Sequence, residues 1–327
     1  MEQLADSFGR KHSYLRISVT DRCNLRCRYC MPPDGLDWIP KSEVLTFEEI
    51  ERLASLFVAM GVNKLRLTGG EPTVRKGIAD LIKLLAAISP EVPVWMTTNG
   101  TTLESQARNY RRAGLTGLNV SLDSLQRDKY FSITRRDELP RVLRGINAAI
   151  DAGFEEVKVN IVVMAGVNDD EIHDFVSLAK DRPLHLRFIE FMPFNGNGWS
   201  DAQLFPYAAM RATIAERFDL ERLPGDVSDV GKDFGIEGFK GKIGFVTSMT
   251  QPFCEGCNRI RLTAEGGLKT CLFARAERDL RTPMREGATD EELSRLVRSE
   301  LSLKWRGHPP LDRLVLLPNK SMVAIGG

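Results

Sequence analysis

Apolar and β-branched runs recur at 14–20, 63–69, 92–99, 117–123, 156–164 and 184–192, alternating with stretches of helical periodicity. Helices are predicted over 46–60, 77–88, 103–112, 139–152 and 170–180. Thr46 ahead of Phe47-Glu48-Glu49 has the form of a capping-box start, and Gly61 and Gly153 read as helix stops. Six β/α units imply a parallel sheet with right-handed crossovers, either open and doubly wound or curled into a barrel.

Parity within the strands chooses between these. Leu15, Ile17 and Val19 share one face of the first run, with Arg16, Ser18 and Thr20 on the other. Leu65 and Leu67 oppose Arg66 and Thr68, Leu118, Val120 and Leu122 oppose Asn119, Ser121 and Asp123, and Val157 and Val159 oppose Lys158 and Asn160. Parallel strands covered on both faces should be apolar throughout, so polar half-strands on a common parity point to helices outside and a polar, ligand-filled interior. The expected fold is α/β, a partial (incomplete) TIM-like β/α barrel. In the sixth run the parity breaks near Ile189-Glu190 and leaves the inward face open.

Beyond residue 220 the rhythm changes. Residues 226–244 are rich in glycine and predict a loop, short strands are expected at 243–249, 260–263 and 268–272, and a helix at 291–303. The expected organisation is a barrel over 1–225 and, because Cys254, Cys257 and Cys271 fall beyond it at ligand-like spacing, a C-terminal iron–sulfur module with a Gly-Gly tail over 226–327.

The 45 basic and 44 acidic residues nearly cancel, so the overall charge calls for neither nucleic acid nor an anionic membrane. The first residues carry no apolar signal region, and no run reaches the ~18–20 apolar residues of a membrane span. A cytoplasmic protein is expected. Six cysteines in such a chain are read as ligands rather than disulfides, and they fall in two groups of three: Cys23, Cys27, Cys30 and Cys254, Cys257, Cys271.

Cys23-x3-Cys27-x2-Cys30 follows the first strand, at the end where barrels place their chemistry. Three thiolates on a tight loop suit three irons of a [4Fe–4S] cube and leave the fourth open; zinc would want a fourth ligand. With Tyr29 before the last cysteine, the loop resembles that of the radical S-adenosylmethionine superfamily. Thr68-Gly69-Gly70-Glu71-Pro72 resembles that superfamily's segment for the methionine amino group, and Asn119–Asp123 its segment for the ribose and carboxylate. The two glycines allow close backbone approach, and Glu71 offers an acceptor for an ammonium.

Cys254-x2-Cys257-x13-Cys271 again gives three ligands, with Arg259 and Arg261 after the knuckle. A structural zinc site closed by His308 is the plain alternative. The two motifs together resemble the GTP 3′,8-cyclase family, the molybdenum cofactor biosynthesis protein A family, over essentially the full chain. The resemblance implies two [4Fe–4S] clusters and S-adenosylmethionine, with GTP as substrate and its guanine on the second cluster. It carries Arg16, Arg66, Thr97, Lys158, Arg259 and Arg261 to GTP contacts and Tyr29, Gly70, Ser121 and Met192 to S-adenosylmethionine contacts. Arg187, Arg259, Arg261, Gly326 and Gly327 are carried to catalysis, the last two as a tail that enters the site, anchored by Met322 and Ile325. Arginine suits a triphosphate because its planar fork donates bidentately and stays charged.

The resemblance also implies a 5′-deoxyadenosyl radical that takes the ribose 3′ hydrogen, after which the sugar radical attacks guanine C8. A homodimer, an electron donor protein and hand-over to cyclic pyranopterin monophosphate synthase follow by analogy. Alternatives are a peptide or sulfatase maturase, a class that usually carries more C-terminal cysteines, and a non-catalytic iron–sulfur or zinc protein.

Overall fold

In the computed structural model the apolar parity of each run packs outward, under helices, and the polar parity faces a common interior. The structure describes every residue except Met1, Glu2, Pro33, Asp34, Leu36, Ala276, Pro318 and Gly327. The six runs form β1 (Tyr14–Ser18), β2 (Lys64–Thr68), β3 (Val94–Thr98), β4 (Leu115–Ser121), β5 (Val157–Val163) and β6 (Leu184–Glu190), paired in parallel in sequence order. The crossovers carry α1 (Phe47–Ala59), α2 (Ile78–Ile88), α3 (Leu103–Arg112), α4 (Arg127–Thr134), α5 (Leu139–Asp151) and α6 (Ile172–Asp181).

Helix α1 starts at the expected capping box: the Thr46 hydroxyl accepts from the Glu49 amide while the Glu49 carboxylate accepts from the Thr46 amide. Its chain reverses at Gly61, whose φ of 97° suits only glycine without strain. Leu15, Ile17, Leu65, Leu67, Leu118 and Val120 are fully buried against these helices. Each contributes on the order of 1.5–3 kcal/mol by leaving water.

Helix α4 and the later α7 (Tyr207–Ala215) carry no clear apolar stripe, which is why periodicity does not reveal them. In α4 the buried Tyr130 and Ile133 flank Phe131, which points outward. The glycine-rich segment 226–244, expected to be a loop, contains β8 (Lys232–Gly235). Its buried Phe234 pairs with Ile243 of β9 (Lys242–Val246), and a four-residue strand with a single apolar side chain gives no alternation to read.

The remaining strands are β7 (Glu221–Arg222), β10 (Arg259–Leu262), β11 (Gly267–Lys269) and β12 (Arg278–Asp279), followed by α8 (Arg281–Arg285), α9 (Asp290–Ser302), α10 (Leu311–Leu314) and α11 (Met322–Ile325). They do not build a sheet of their own. Strand β9 adds in parallel to β6 and β10 adds in parallel to β1, so the later segment extends both edges of the six-stranded core.

The sheet is curled. Six strand spacings separate β10 from β6 along the sheet, roughly 29 Å if it were flat. Yet Arg187 of β6 lies close enough to Arg259 of β10 to feel its charge, and both line one cavity. This is the partial barrel that parity implied. Among the described residues, no helix is long and apolar enough to cross a membrane.

Candidate active site between two cysteine groups

The first cysteine loop is held by the strand end beside it. Gly70 donates its amide to the Thr20 carbonyl at 2.6 Å and Glu71 to the Arg22 carbonyl at 2.8 Å. A Cβ on Gly70 would stand 2.4 Å from the Arg22 oxygen and 2.5 Å from that of Asp21, so only glycine fits. The Glu71 carboxylate accepts from the Thr73 amide and hydroxyl (3.0 and 2.6 Å), the Thr98 hydroxyl (2.7 Å) and the Asn99 amide (2.6 Å). Three of these bonds fall on Oε1 and one on Oε2, so the carboxylate ties the β2 and β3 loops together while Oε2 keeps acceptor capacity and Glu71 lines the cavity.

Asp123, also buried, accepts from the Tyr29 hydroxyl at 2.8 Å and the Val162 amide at 2.8 Å. Burial pushes its carboxyl up to about 6. Tyr29 is thereby fixed against the segment carrying Ser121. Cys23, Cys27, Cys30, Gly70, Ser121 and Met192 all face the same cavity, which holds about 500 Å³.

Cations pave the middle of that cavity. In the sheet register Arg16 stands beside Arg66 on one side and Arg261 on the other, so three arginines occupy neighbouring strands on one rung. Like charges so placed repel unless an anion lies between them. Burial, followed by the neighbouring arginine charges, lowers Arg261 to about 9, and burial lowers Arg16 to about 10 although Tyr14 opposes it. Lys64, Arg66 and Lys158 approach the Trp95 ring at 4.4, 5.4 and 5.2 Å. Gly117 makes room for that ring: a Cβ there would lie 2.6 Å from it.

Burial, then the Arg187 charge, pulls the Lys158 ammonium down to about 8, although Glu156 at 3.0 Å opposes the change. His185 lies between Glu156 and Asp233, 3.1 Å from each. The parity left open in β6 resolves here: His185, Arg187 and Ile189 face the cavity. Glu190 turns away, fully buried, and accepts from the amides of Tyr207 (2.9 Å), Met249 (2.7 Å) and Thr250 (3.0 Å).

At the far end the same cavity is lined by Cys254, Cys257 and Cys271 with Arg259 and Arg261. Burial opposes ionisation of Cys257, but Arg259 and Lys304 outweigh it and bring the thiol down to about 6. The two cysteine groups thus face each other across a cationic floor.

The Radical SAM superfamily matches residues 17–179 and the family described as Molybdenum Cofactor Synthesis C matches 184–310. A GTP 3′,8-cyclase of Rhodopirellula baltica is 43% identical over 336 aligned residues, covering 99% of this chain and 92% of its own. The chain belongs to the GTP 3′,8-cyclase family.

The mitochondrial family member of Arabidopsis thaliana is 46% identical over all of this chain and 84% of its own. The mouse molybdenum cofactor biosynthesis protein 1 is 47% identical over 99% of this chain, which spans 51% of that longer protein. Streptococcus suis SuiB superposes with a TM-score of 0.61 at 12% identity, over 88% of this chain and 67% of its own, a likeness of fold alone.

Membership in the radical superfamily brings S-adenosylmethionine and a [4Fe–4S] cluster, and the donor set fits both. The first cysteine loop supplies three thiols to one cavity, beside a glycine cradle that side chains would fill. Burial raises Cys23 to about 11 and raises Cys27 and Cys30 as well, so the thiols stay neutral until a cation compensates them. Among the described residues no three Cys, His, Asp or Glu groups gather around a point for one metal ion. A cube is wider than one ion, because each thiolate takes its own iron.

Polar atoms with no protein partner also point inward: Thr97 Oγ1, Asn119 Oδ1, Asn160 Oδ1 and the Nε of Arg66 and Arg187 are buried without a hydrogen bond. Such orphans mark a place for a polar ligand. His308 does not close the second cysteine group: its ring nitrogens lie 2.8 and 3.0 Å from the carbonyls of Pro309 and Ser248.

The tail reaches the barrel interior. Ile325 is buried, Met322 lines the cavity, and a Cβ on Gly326 (φ 77°) would meet Ser18 Cβ at 2.8 Å and Thr68 Oγ1 at 2.9 Å. Gly327 lies outside the described residues. Sequence reasoning missed Tyr14 and Lys64 as cavity residues, although each shares the inner parity of Arg16 or Arg66.

Proposed function

We propose that this chain is a GTP 3′,8-cyclase, converting GTP to (8S)-3′,8-cyclo-7,8-dihydroguanosine 5′-triphosphate at the start of molybdenum cofactor biosynthesis. The observation that carries the reading is the rung of Arg261, Arg16 and Arg66 set between two groups of three cysteines. Buried like charges side by side call for a polyanion, and a nucleoside triphosphate supplies one.

On this reading Cys23, Cys27 and Cys30 hold the cluster that engages S-adenosylmethionine, with Tyr29, Gly70, Ser121 and Met192 around it. Cys254, Cys257 and Cys271 would hold a second [4Fe–4S] cluster, which would bind the guanine. When bound, cluster and S-adenosylmethionine would supply hydrogen abstraction from the ribose 3′ carbon, and bond formation from that carbon to guanine C8 would be completed by one electron from the donor and one proton.

The chain's own residues position the reactants. Arg16, Arg66, Thr97 and Lys158 grip the triphosphate, and Arg259 and Arg261 hold the nucleotide between phosphates and base, so that ribose and adenosyl groups meet at bonding range. Arg187, Arg259 and Arg261 surround the reacting centre with fixed positive charge, and the Gly326-Gly327 tail is needed for activity. Residues 1–225 contribute the S-adenosylmethionine half and 226–327 the guanine half. Action in the cytoplasm as a homodimer, fed by an electron donor protein and followed by cyclic pyranopterin monophosphate synthase, completes the reading.

The test is anaerobic turnover of reconstituted protein with reductant, S-adenosylmethionine and GTP, followed by mass spectrometry. The expected result is 5′-deoxyadenosine together with a GTP isomer of unchanged mass. Formation of 5′-deoxyadenosine with GTP untouched would overturn the substrate and keep the radical chemistry.

A further inference from the structure

Immediately after α9 the usual polarity of a surface turn is reversed. Leu303 is 66% exposed and Trp305 37%, while Lys304 between them is 4% exposed. Exposing two large apolar groups to bury an ammonium costs free energy on both counts, so something must hold the lysine inside. Its Nζ donates to the Arg259 carbonyl at 3.1 Å and, more closely, to the Thr270 carbonyl. Arg259 lies two residues after Cys257, and Thr270 immediately precedes Cys271.

A second cation completes the pattern from the opposite end of the chain. Arg10 donates to the Cys254 carbonyl at 2.7 Å and to the carbonyls of Arg306 and Trp305 at 2.6 Å each, while its Nε pairs with Asp6 at 2.6 Å. The backbone at or beside all three cysteines is thus clamped by two cations that are not themselves ligands. The two clamps converge on the turn 304–306, which carries Lys304 and gives Arg10 two of its carbonyl acceptors.

We infer that Lys304 is a positioning residue for the second cysteine group: its ammonium fixes the spacing of the Cys257 and Cys271 segments and is the buried counter-charge for the cluster they hold. Arg10 performs the matching task at Cys254. The assignment rests on the two-cluster reading above.

A cluster with three thiolates carries net negative charge, and a fixed cation beside it favours the more negative, reduced state. Removing the charge therefore lowers the cluster's reduction potential. Lys304→Met keeps most of the packing volume and removes the charge; Lys304→Arg restores it.

The experiment measures iron content and EPR-monitored redox titrations of anaerobically reconstituted protein. The variant with Cys254, Cys257 and Cys271 all changed to serine serves as the one-cluster reference. Wild type should hold about eight irons and the reference about four. Lys304→Met should titrate its second cluster at a lower potential than wild type, with Lys304→Arg moved back toward wild type.

An unchanged second-cluster potential in Lys304→Met overturns the assignment. So does equal loss of that cluster from Lys304→Met and Lys304→Arg with the first cluster intact, because that reports packing alone. A wild type that holds only about four irons overturns the two-cluster reading instead.

Discussion

Replacing Gly70 by alanine tests how the glycine cradle positions the first cysteine loop. The new methyl would sit 2.4 Å from the Arg22 carbonyl oxygen, about 1 Å inside an ordinary contact of 3.4 Å, and 2.5 Å from that of Asp21. Both obstacles are backbone, so no side chain can swing away, and the segment leading into Cys23 must retreat. Overpacking of this kind costs ~1–3 kcal/mol. Melting should fall by a few degrees, at roughly 2–4 °C per kcal/mol for domains somewhat smaller than this chain.

Gly166→Ala is the control, because Gly166 has a φ of 71° and nothing within 4 Å of an added Cβ. It carries only the left-handed backbone penalty of ~1–2 kcal/mol. The two variants should therefore melt alike and differ in function. Equilibrium binding of S-adenosylmethionine to the reconstituted proteins should weaken about tenfold in Gly70→Ala, the equivalent of ~1.4 kcal/mol, and stay at the wild-type value in Gly166→Ala. Wild-type affinity in Gly70→Ala would refute the argument that this contact sets the loop.

The depressed Lys158 ammonium makes GTP affinity fall as pH rises through about 8, and Lys158→Arg should flatten that part of the profile. The stability of the ligand-free protein moves the other way. Between about 8 and the ordinary 10.5 the unfolded chain binds a proton that the folded lysine has lost, so Lys158 adds stability as pH climbs through that window. Anaerobic calorimetry from pH 7 to 9.5 checks the binding slope, and an unchanged GTP affinity across it would count against a charged Lys158 at the phosphates. Glu190→Gln turns one of the two accepting oxygens into a donor, leaving either the Tyr207 amide or those of Met249 and Thr250 without an acceptor, and should cost ~1–3 kcal/mol, read as a lower denaturant midpoint. Gly326→Ala, blocked by Ser18 and Thr68, should lose turnover while keeping its iron; full activity would show that the tail does not need its seat.

The sheet core was legible because its signal is simple. Leu15 and Ile17 against Arg16 and Ser18 fix which face meets helices, and every inward cation expected from parity lines the cavity. The cysteine spacings were equally direct, since three thiols within eight residues admit few other uses. What escaped lacked periodicity or contradicted composition. Phe234 is the single apolar residue of its four-residue strand, and α4 turns Phe131 outward. The Glu71 carboxylate also joins hydroxyls and amides that only the folded loops bring near it. Lys304, flanked by Leu303 and Trp305, reads in sequence as the solvated end of a helix, and only tertiary structure shows it turned inward.

The way β10 joins β1 bears on how the molecule is made. Their junction is spanned by the hydrogen bond from Asn258 to Ser13, 245 positions apart, and β9 likewise joins β6 only after the intervening α7 and β7–β8 hairpin. A nascent chain that has reached the end of β6 exposes a bare strand on each side of its sheet, both able to pair with another copy. Contacts so distant in sequence are late and slow to form. Synthesis therefore passes through an interval in which the barrel half is complete in sequence but raw at both borders, and growth conditions that lengthen this interval should send the chain into inclusion bodies before iron supply becomes limiting.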